Sequence, residues 1–370
     1  MNERVFQQRF WFPTVILLLA GAACSASADE PAASWPRFHG PQGANRSAET
    51  GLLRQWPEGG PRRLWTAQGI GEGFATVAIA GGRIYTAGEF QNDTVITALD
   101  MDGRVQWRAE NGKGRATASP AGARCTPTID GTRLYHENAG GQLVCLDAKT
   151  GERVWGVSLG TEFHGQGGGF DQSESPLIDG DRVICCPGGE TAMVALDKNT
   201  GKTVWRSASA GEPAGYTSPI LVRYQGLRII LAVSQFQLFG VNADTGELLW
   251  QFKHHQSGPF CICALPAYHD GQVFLTAGYG KGSVLLQIKI EGKKTSVEPV
   301  WHSADLDNRQ GGVILLDGYL YGVADRNSNG KWICLDWKTG KTMYAERGLG
   351  QGSLTYADGM LYVLGERGKV

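Results

Sequence analysis

The feature that most constrains this chain is a tryptophan that returns in one local setting. Trp65, Trp107, Trp155, Trp205, Trp250 and Trp301 recur, and Tyr344 fills the next slot. The spacing is roughly 40–50 residues, a length at which one supersecondary unit repeats. The text before each aromatic repeats too: "CLDAKTGERVW" (145–155), "ALDKNTGKTVW" (195–205), "GVNADTGELLW" (240–250) and "CLDWKTGKTMY" (334–344), with "ALDMDGRVQW" (98–107) one residue shorter. A second signature lies upstream in each period, as in "AIAGGRIYTAG" (78–88), "TIDGTRLYHEN" (128–138), "LIDGDRVICCP" (177–187), "AYHDGQVFLTA" (267–277) and "TYADGMLYVLG" (355–365). Asp-Gly and Thr-Gly are hairpin turns, because glycine accepts the positive φ they need and Asp or Thr bonds the nearby backbone. Each period therefore predicts four short strands: a before the Asp-Gly turn, b as the apolar-aromatic segment, c as "VALD" and d bearing the Trp.

Four strands every 40–50 residues predict an all-β chain, a β-propeller of four-stranded antiparallel blades. Fifty-three glycines in 370 residues suit so many tight turns. Separate β-sandwiches would not explain one Trp slot per period. A net charge of −1 leaves no basic patch for nucleic acid. Residues 1–28 read as a signal peptide, with Arg4 and Arg9 before an apolar run from Phe10 to Cys24 and "ASA" at 26–28 as a cleavage site. That run is short for a membrane span. "GAAC" ending at Cys24 is a loose lipidation box, so a lipidated Cys24 stands as an alternative, as does an uncleaved anchor. The expected product is exported, periplasmic or held in the cell envelope. Residues 29–61 form an N-terminal extension and 62–370 the propeller.

"ALDKNTGKTVW" matches at every defined position the Ala-x-Asp-x-x-Thr-Gly-x-x-x-Trp docking motif of pyrroloquinoline quinone (PQQ) repeat propellers, and the other copies depart at one or a few positions. The chain thus resembles the exported PQQ-like branch of the quinoprotein alcohol dehydrogenase-like superfamily, over roughly residues 60–370. The stretch from Trp35 to Trp65 resembles the opening of exported PQQ-like propellers. The resemblance implies docking between blades for Trp107, Trp155, Trp205 and Trp250, and an eight-bladed parent. Seven a–b signatures are present, but the last lacks a c–d segment. The expectation is six full blades, a partial seventh of two or three strands, and a gap facing a Trp65 strand that includes "RRLW" (62–65).

Relatives of this kind include PQQ- and calcium-dependent dehydrogenases with a vicinal disulfide against the cofactor, and scaffolds for outer-membrane protein assembly. Cys185-Cys186 poses that choice. The repeats set Cys185 opposite Thr86, His136 and Leu275, and Cys186 opposite Ala87, Glu137 and Thr276. The slots take ordinary residues, so the pair is expected in or at the end of a strand with no cofactor cavity over it. Cys145 and Cys334 stand where Ala98 and Ala195 stand, as small buried hydrophobes. Cys261 and Cys263 read as packing, and the absence of paired Cys-x-x-C argues against zinc; no metal ligands are assigned.

Binding chemistry is expected where the d–a and b–c connections share one face. His164, Asp171 and Glu174, from "GTEFHGQGGGFDQSES" (160–175), are expected at the channel mouth with Arg309 from "HSADLDNRQGG" (302–312). "GQGGGF" has no helix after it, so it reads as crowded backbone, not a phosphate loop. Adjacent His254 and His255 make a poor chelate, and "DLDN" (305–308) matches no calcium loop. No nucleophile–base pair is legible. The sequence therefore points to an exported, non-catalytic binding or scaffold propeller, with a small molecule or protein partner on the axial face, no nucleic acid and no cofactor. The alternatives are a quinoprotein-like oxidoreductase using PQQ and calcium, and an outer-membrane assembly lipoprotein.

Overall fold

The computed structural model describes residues 34–114, 121–254, 262–324, 330–348 and 350–370. Residues 1–28, expected as a signal peptide, with Cys24, and also His255 and Cys261, lie outside the described residues. Six four-stranded antiparallel meanders follow one another: blade 1 (78–113), blade 2 (128–158), blade 3 (177–206), blade 4 (220–253), blade 5 (267–303) and blade 6 (313–347). A seventh sheet has two strands, Gly352–Ala357 and Met360–Gly365. The a strands of blades 1, 2 and 3 adjoin in turn, as do those of blades 5 and 6 and the first strand of the seventh sheet. One short helix, Leu159–Phe163, lies in the connection from blade 2 to blade 3. No helix among the described residues is long and apolar enough to cross a membrane.

The core is a series of layers between blades, because successive residues of a strand point to opposite sheet faces. Leu143, Cys145 and Phe163 of the blade 2 region pack with Val183 and Cys185 of blade 3. Ile184 and Cys186 point the other way and pack with Ile230 and Phe239 of blade 4. Cys185 closes strand b of blade 3 (Arg182–Cys185), paired with Val194. The vicinal pair is therefore two free thiols facing different neighbours. Cys145 and Cys334 pair across the sheet with Trp155 and Tyr344, where a small residue leaves room for the ring.

The c–d turn and the Trp of the preceding blade form one device. Asp197 Oδ1 accepts from the backbone N–H groups of Asn199 and Thr200 and from the Thr200 hydroxyl. Asp147 holds its turn in the same way, and its side chain is kept below the usual carboxylate range chiefly by the Thr150 N–H bond. The turn presents one carbonyl to the neighbour. Trp107 Nε1 donates to Ala148 O at 3.1 Å, Trp155 to Lys198 O at 3.0 Å, Trp205 to Ala243 O at 3.1 Å and Trp301 to Trp337 O at 2.9 Å. The ring lies over the turn glycine. Gly246 has φ +78°, and a Cβ there would come within 2.7 Å of the Trp205 ring.

One docking residue bonds differently, and one expectation needs correction. Trp250 is buried in the layer between blades 4 and 5, yet its indole N–H has no partner among the described residues. The physical reason is the neighbour. The c and d strands of blade 5, Ser283–Glu291 and Lys294–Ser303, are joined through Gly292 and Lys293, with no Asp–Thr–Gly turn to offer the carbonyl. Residues 62–65 form no strand; Trp65 nevertheless donates to Met101 O at 2.9 Å and covers Gly103 of blade 1.

The extension is part of the propeller's axis. Trp35 exchanges both backbone hydrogen bonds with Ile79 of blade 1, and Pro36 O accepts from Ile129 N of blade 2. Ser47 N donates to Tyr356 O, and Tyr356 N to Asn45 O, in the two-stranded sheet. Arg46 lies over the Tyr356 ring at 5.2 Å, and Arg54 donates to Asp358 O at 2.6 Å. This one segment joins the first two blades to the seventh sheet. His39 and Asn45 hydrogen-bond each other and are buried.

Candidate functional site

The described residues frame one cavity on each side of the axial segment, and His39 and Asn45 line both. The cavity on the face of the a–b and c–d turns has a volume of about 1130 Å³ and is bordered by Tyr224, Tyr268, Asp270, Asp317 and Trp337. The cavity on the face of the d–a connections measures about 970 Å³. All six blades and the seventh sheet contribute to it: Phe74 before blade 1, Arg124 before blade 2, Phe170 and Ser173 before blade 3, Tyr216 before blade 4, Cys263 and Tyr279 from the blade 5 region, Arg309 before blade 6, and Leu354 from the seventh sheet.

The chemistry of this second cavity is cationic and aromatic. Arg124 lies over Phe74 at 5.3 Å and Phe170 at 5.9 Å. Arg309 lies over Tyr279 at 5.1 Å and donates to its hydroxyl at 3.1 Å. Phe170 meets Tyr216 edge-on at 5.6 Å. The neighbouring backbone is crowded, as "GQGGGF" suggests: a Cβ on Gly168 would come within 2.7 Å of the Tyr216 hydroxyl. Glu49 is the carboxylate among the described lining residues.

Of the four residues expected at the channel mouth, Arg309 lines the cavity. His164 is exposed and caps the short helix at φ 52°, away from the cavity, and Asp171 holds a positive φ of 57° within the loop without lining it. Glu174 points inward. Ser173 and Ser175, which flank it, line the cavity, while Glu174 is buried beneath and accepts from Cys186 N at 2.5 Å. The carboxyl of Glu137 and the thiol of Cys185 lie beside it. Burial pushes Glu174 up to about 7, and burial together with the Glu174 charge pushes Glu137 well above the carboxylate range. Burial also raises the thiols of Cys125, Cys185 and Cys186 far above neutrality, so they are poor nucleophiles.

The remaining motif residues anchor loops. Asp307 accepts backbone N–H bonds from Gly280, Lys281 and Gly282 at 2.7, 3.1 and 3.0 Å. Asn308 donates to Val323 O at 2.8 Å, and Asp305 accepts from Thr342. These side chains diverge, so "DLDN" gathers no calcium ligands. Sequence reasoning missed Arg124, Phe170, Tyr216 and Tyr279; the available signal was the placing of aromatic and cationic residues in connections that share a face.

With this geometry in hand, comparison places the chain. Residues 91–346 match the family model described as outer membrane protein assembly factor BamB. The chain belongs to this PQQ-repeat propeller family. It is 26% identical over 205 residues to the outer membrane protein assembly factor BamB of Burkholderia pseudomallei, covering 55% of this chain and 46% of that protein. It is 30% identical over 143 residues to the quinohemoprotein alcohol dehydrogenase ADH-IIG of Pseudomonas putida, covering 36% of this chain and 19% of the relative. The matches thus span less than half of either relative's length. Among solved structures, BamB from Moraxella catarrhalis superposes with a TM-score of 0.55 at 17% identity, over 80% of this chain and 86% of that one. A europium-containing methanol dehydrogenase gives 0.55 at 12% identity, over 88% and 81%. At these identities the structures speak for the fold.

Proposed function

We propose that this chain is a non-catalytic binding propeller of the cell envelope, and that it engages an acidic, aromatic-bearing polypeptide segment at the d–a face. The observation that carries this reading is the cavity to which every blade contributes, with Arg124 and Arg309 seated on aromatic rings. Guanidinium groups set beside aromatic rings present donors to carboxylates and faces to rings. Membership of the assembly-factor family favours a protein partner and an envelope location. A binding titration with pooled Asp/Glu-rich peptides bearing Phe or Tyr tests the reading. Binding should weaken at least tenfold in Arg124→Ala/Arg309→Ala and fall with added salt. Equal affinity in the double variant would remove the cavity from the function.

The oxidoreductase reading draws on the quinohemoprotein relative. The residues present do not fit the PQQ–calcium arrangement that the resemblance implies. Neither Cys185 nor Cys186 lines either cavity, and the carboxylates Glu137 and Glu174 are sealed beneath the wall. After incubation with PQQ and calcium, we expect no alcohol-dependent dye reduction. Turnover with a primary alcohol would overturn the non-catalytic assignment.

A further inference from the structure

The acid–thiol cluster under the cavity wall is unused by the binding reading. One ligand atom from each of Glu137, Glu174 and Cys185 lies within 4.8 Å of the others, and the residues are 1%, 3% and 0% exposed. They come from separate elements. Glu137 ends strand b of blade 2 (Arg133–Glu137), Cys185 ends strand b of blade 3, and Glu174 belongs to the connection between the blades. Glu174 is oriented by the Cys186 N–H. Glu137 is different: both of its carboxyl oxygens are sealed from water and face the carboxyl of Glu174, with which they bond only by sharing a proton. Two carboxyls buried side by side cannot both be charged alone, so the pair holds either a proton or a cation between them.

We propose that Glu137, Glu174 and Cys185 form a structural site for one divalent ion of the zinc class. Two carboxylates and a thiolate make a mixed donor set. Calcium and magnesium prefer oxygen alone, and copper(I) prefers sulfur. Zinc–oxygen bonds of ~2.1 Å and zinc–sulfur bonds of ~2.3 Å in a tetrahedron place ligand atoms about 3.4–3.6 Å apart, so the cluster needs only a small inward rotation of its side chains. Cys125 borders the site, its sulfur receiving the Glu137 backbone N–H at 3.4 Å. The ion replaces the protons that burial keeps on these groups and releases them to solvent. Ser173 and Ser175, which line the cavity on either side of Glu174, mark the route of entry. A bound ion ties blades 2 and 3 together directly below the binding face.

Cobalt(II) is the probe, because a cobalt–thiolate bond has a near-ultraviolet charge-transfer band. The full chain is incubated with cobalt while folded and, separately, refolded from urea in its presence. One equivalent should survive desalting with that band, and zinc should displace it. Cys185→Ser should abolish the band. The isosteric Glu137→Gln keeps the thiolate and should bind at least tenfold more weakly. Absence of the band under both loading conditions, or its persistence in Cys185→Ser, would overturn the site. If Cys185→Ser does not fold, an unchanged cobalt affinity in Glu137→Gln overturns it equally.

Discussion

The rim and the axis of this propeller are held by opposite means. On the rim, one device recurs: an indole donates to the carbonyl after the turn Asp or Asn and covers the turn glycine. At the axis, a single segment that repeats nothing runs from Trp35 to Arg54 and joins the first two blades to the seventh sheet. A periodic contact can lack one bond and keep its packing, as at Trp250, which stays buried against blade 5 without the hydrogen bond. An aperiodic contact has no second copy.

The largest expected effect probes the rim. Trp205→Ala should cost about 3–5 kcal/mol in urea unfolding, the range for truncating a large buried aromatic. A melt equal to wild type would break the docking account.

Acid probes the axis. Burial lowers His39 to about 4, with Arg37 adding to the effect and the Asn45 bond opposing it. Because the folded value lies below the unfolded 6.5, the unfolded chain takes up the proton first as pH falls. Stability from this group is complete above pH 6.5 and is lost toward pH 4, by up to about 3 kcal/mol. His39→Gln should flatten the pH profile over that window, leaving the part due to His136, which burial depresses in the same way. An unchanged slope would show that His39 is not buried as described.

The turn glycine comes next. Gly246→Ala should cost at least about 2 kcal/mol, because its φ is positive and the new Cβ meets the Trp205 ring. Chemical denaturation of this variant beside Gly226→Ala, where no atom lies within 4 Å, isolates the ring contact from the backbone strain common to both.

The smallest and sharpest comparison is Trp205→Phe against Trp250→Phe. The two tryptophans are 8% and 7% exposed, so burial is matched. The first change removes one of two donors to the Ala243 carbonyl, which keeps the Arg182 bond at 2.7 Å, and should cost about 1 kcal/mol more than the second, which removes an N–H with no partner among the described residues. Equal losses in parallel unfolding curves would remove the hydrogen bond from the account of the rim.

Legibility follows the same division. The blades could be read because Ala–x–Asp–x–x–Thr–Gly–x–x–x–Trp carries both turn and dock in eleven contiguous letters, "ALDKNTGKTVW". The unbonded N–H of Trp250 was legible as well, in a neighbour reading "IEGKKTSVEPVW", which lacks the acceptor turn. The axial segment was not, since its partners Ile79, Ile129 and Tyr356 are far apart in the chain and share no pattern with it. The site lies between these cases. Arg309 was expected on the correct face, whereas His164 and Asp171 were placed by loop membership, which does not fix a side chain's direction. Glu137 had shown a signal that was passed over: a charged residue in a slot filled elsewhere by Ala87, Cys186 and Thr276.

The Trp–turn contact also sets a grammar for rearranging the molecule. Each of blades 2 and 3 carries an acceptor turn for its predecessor and a donor ring for its successor. A duplicated copy of blade 3 would therefore meet a matching partner on both sides. Blade 5 donates through Trp301 but offers no acceptor turn. It can follow another blade only by giving up that contact, which makes the boundary between blades 4 and 5 the place where the order of the ring is least enforced.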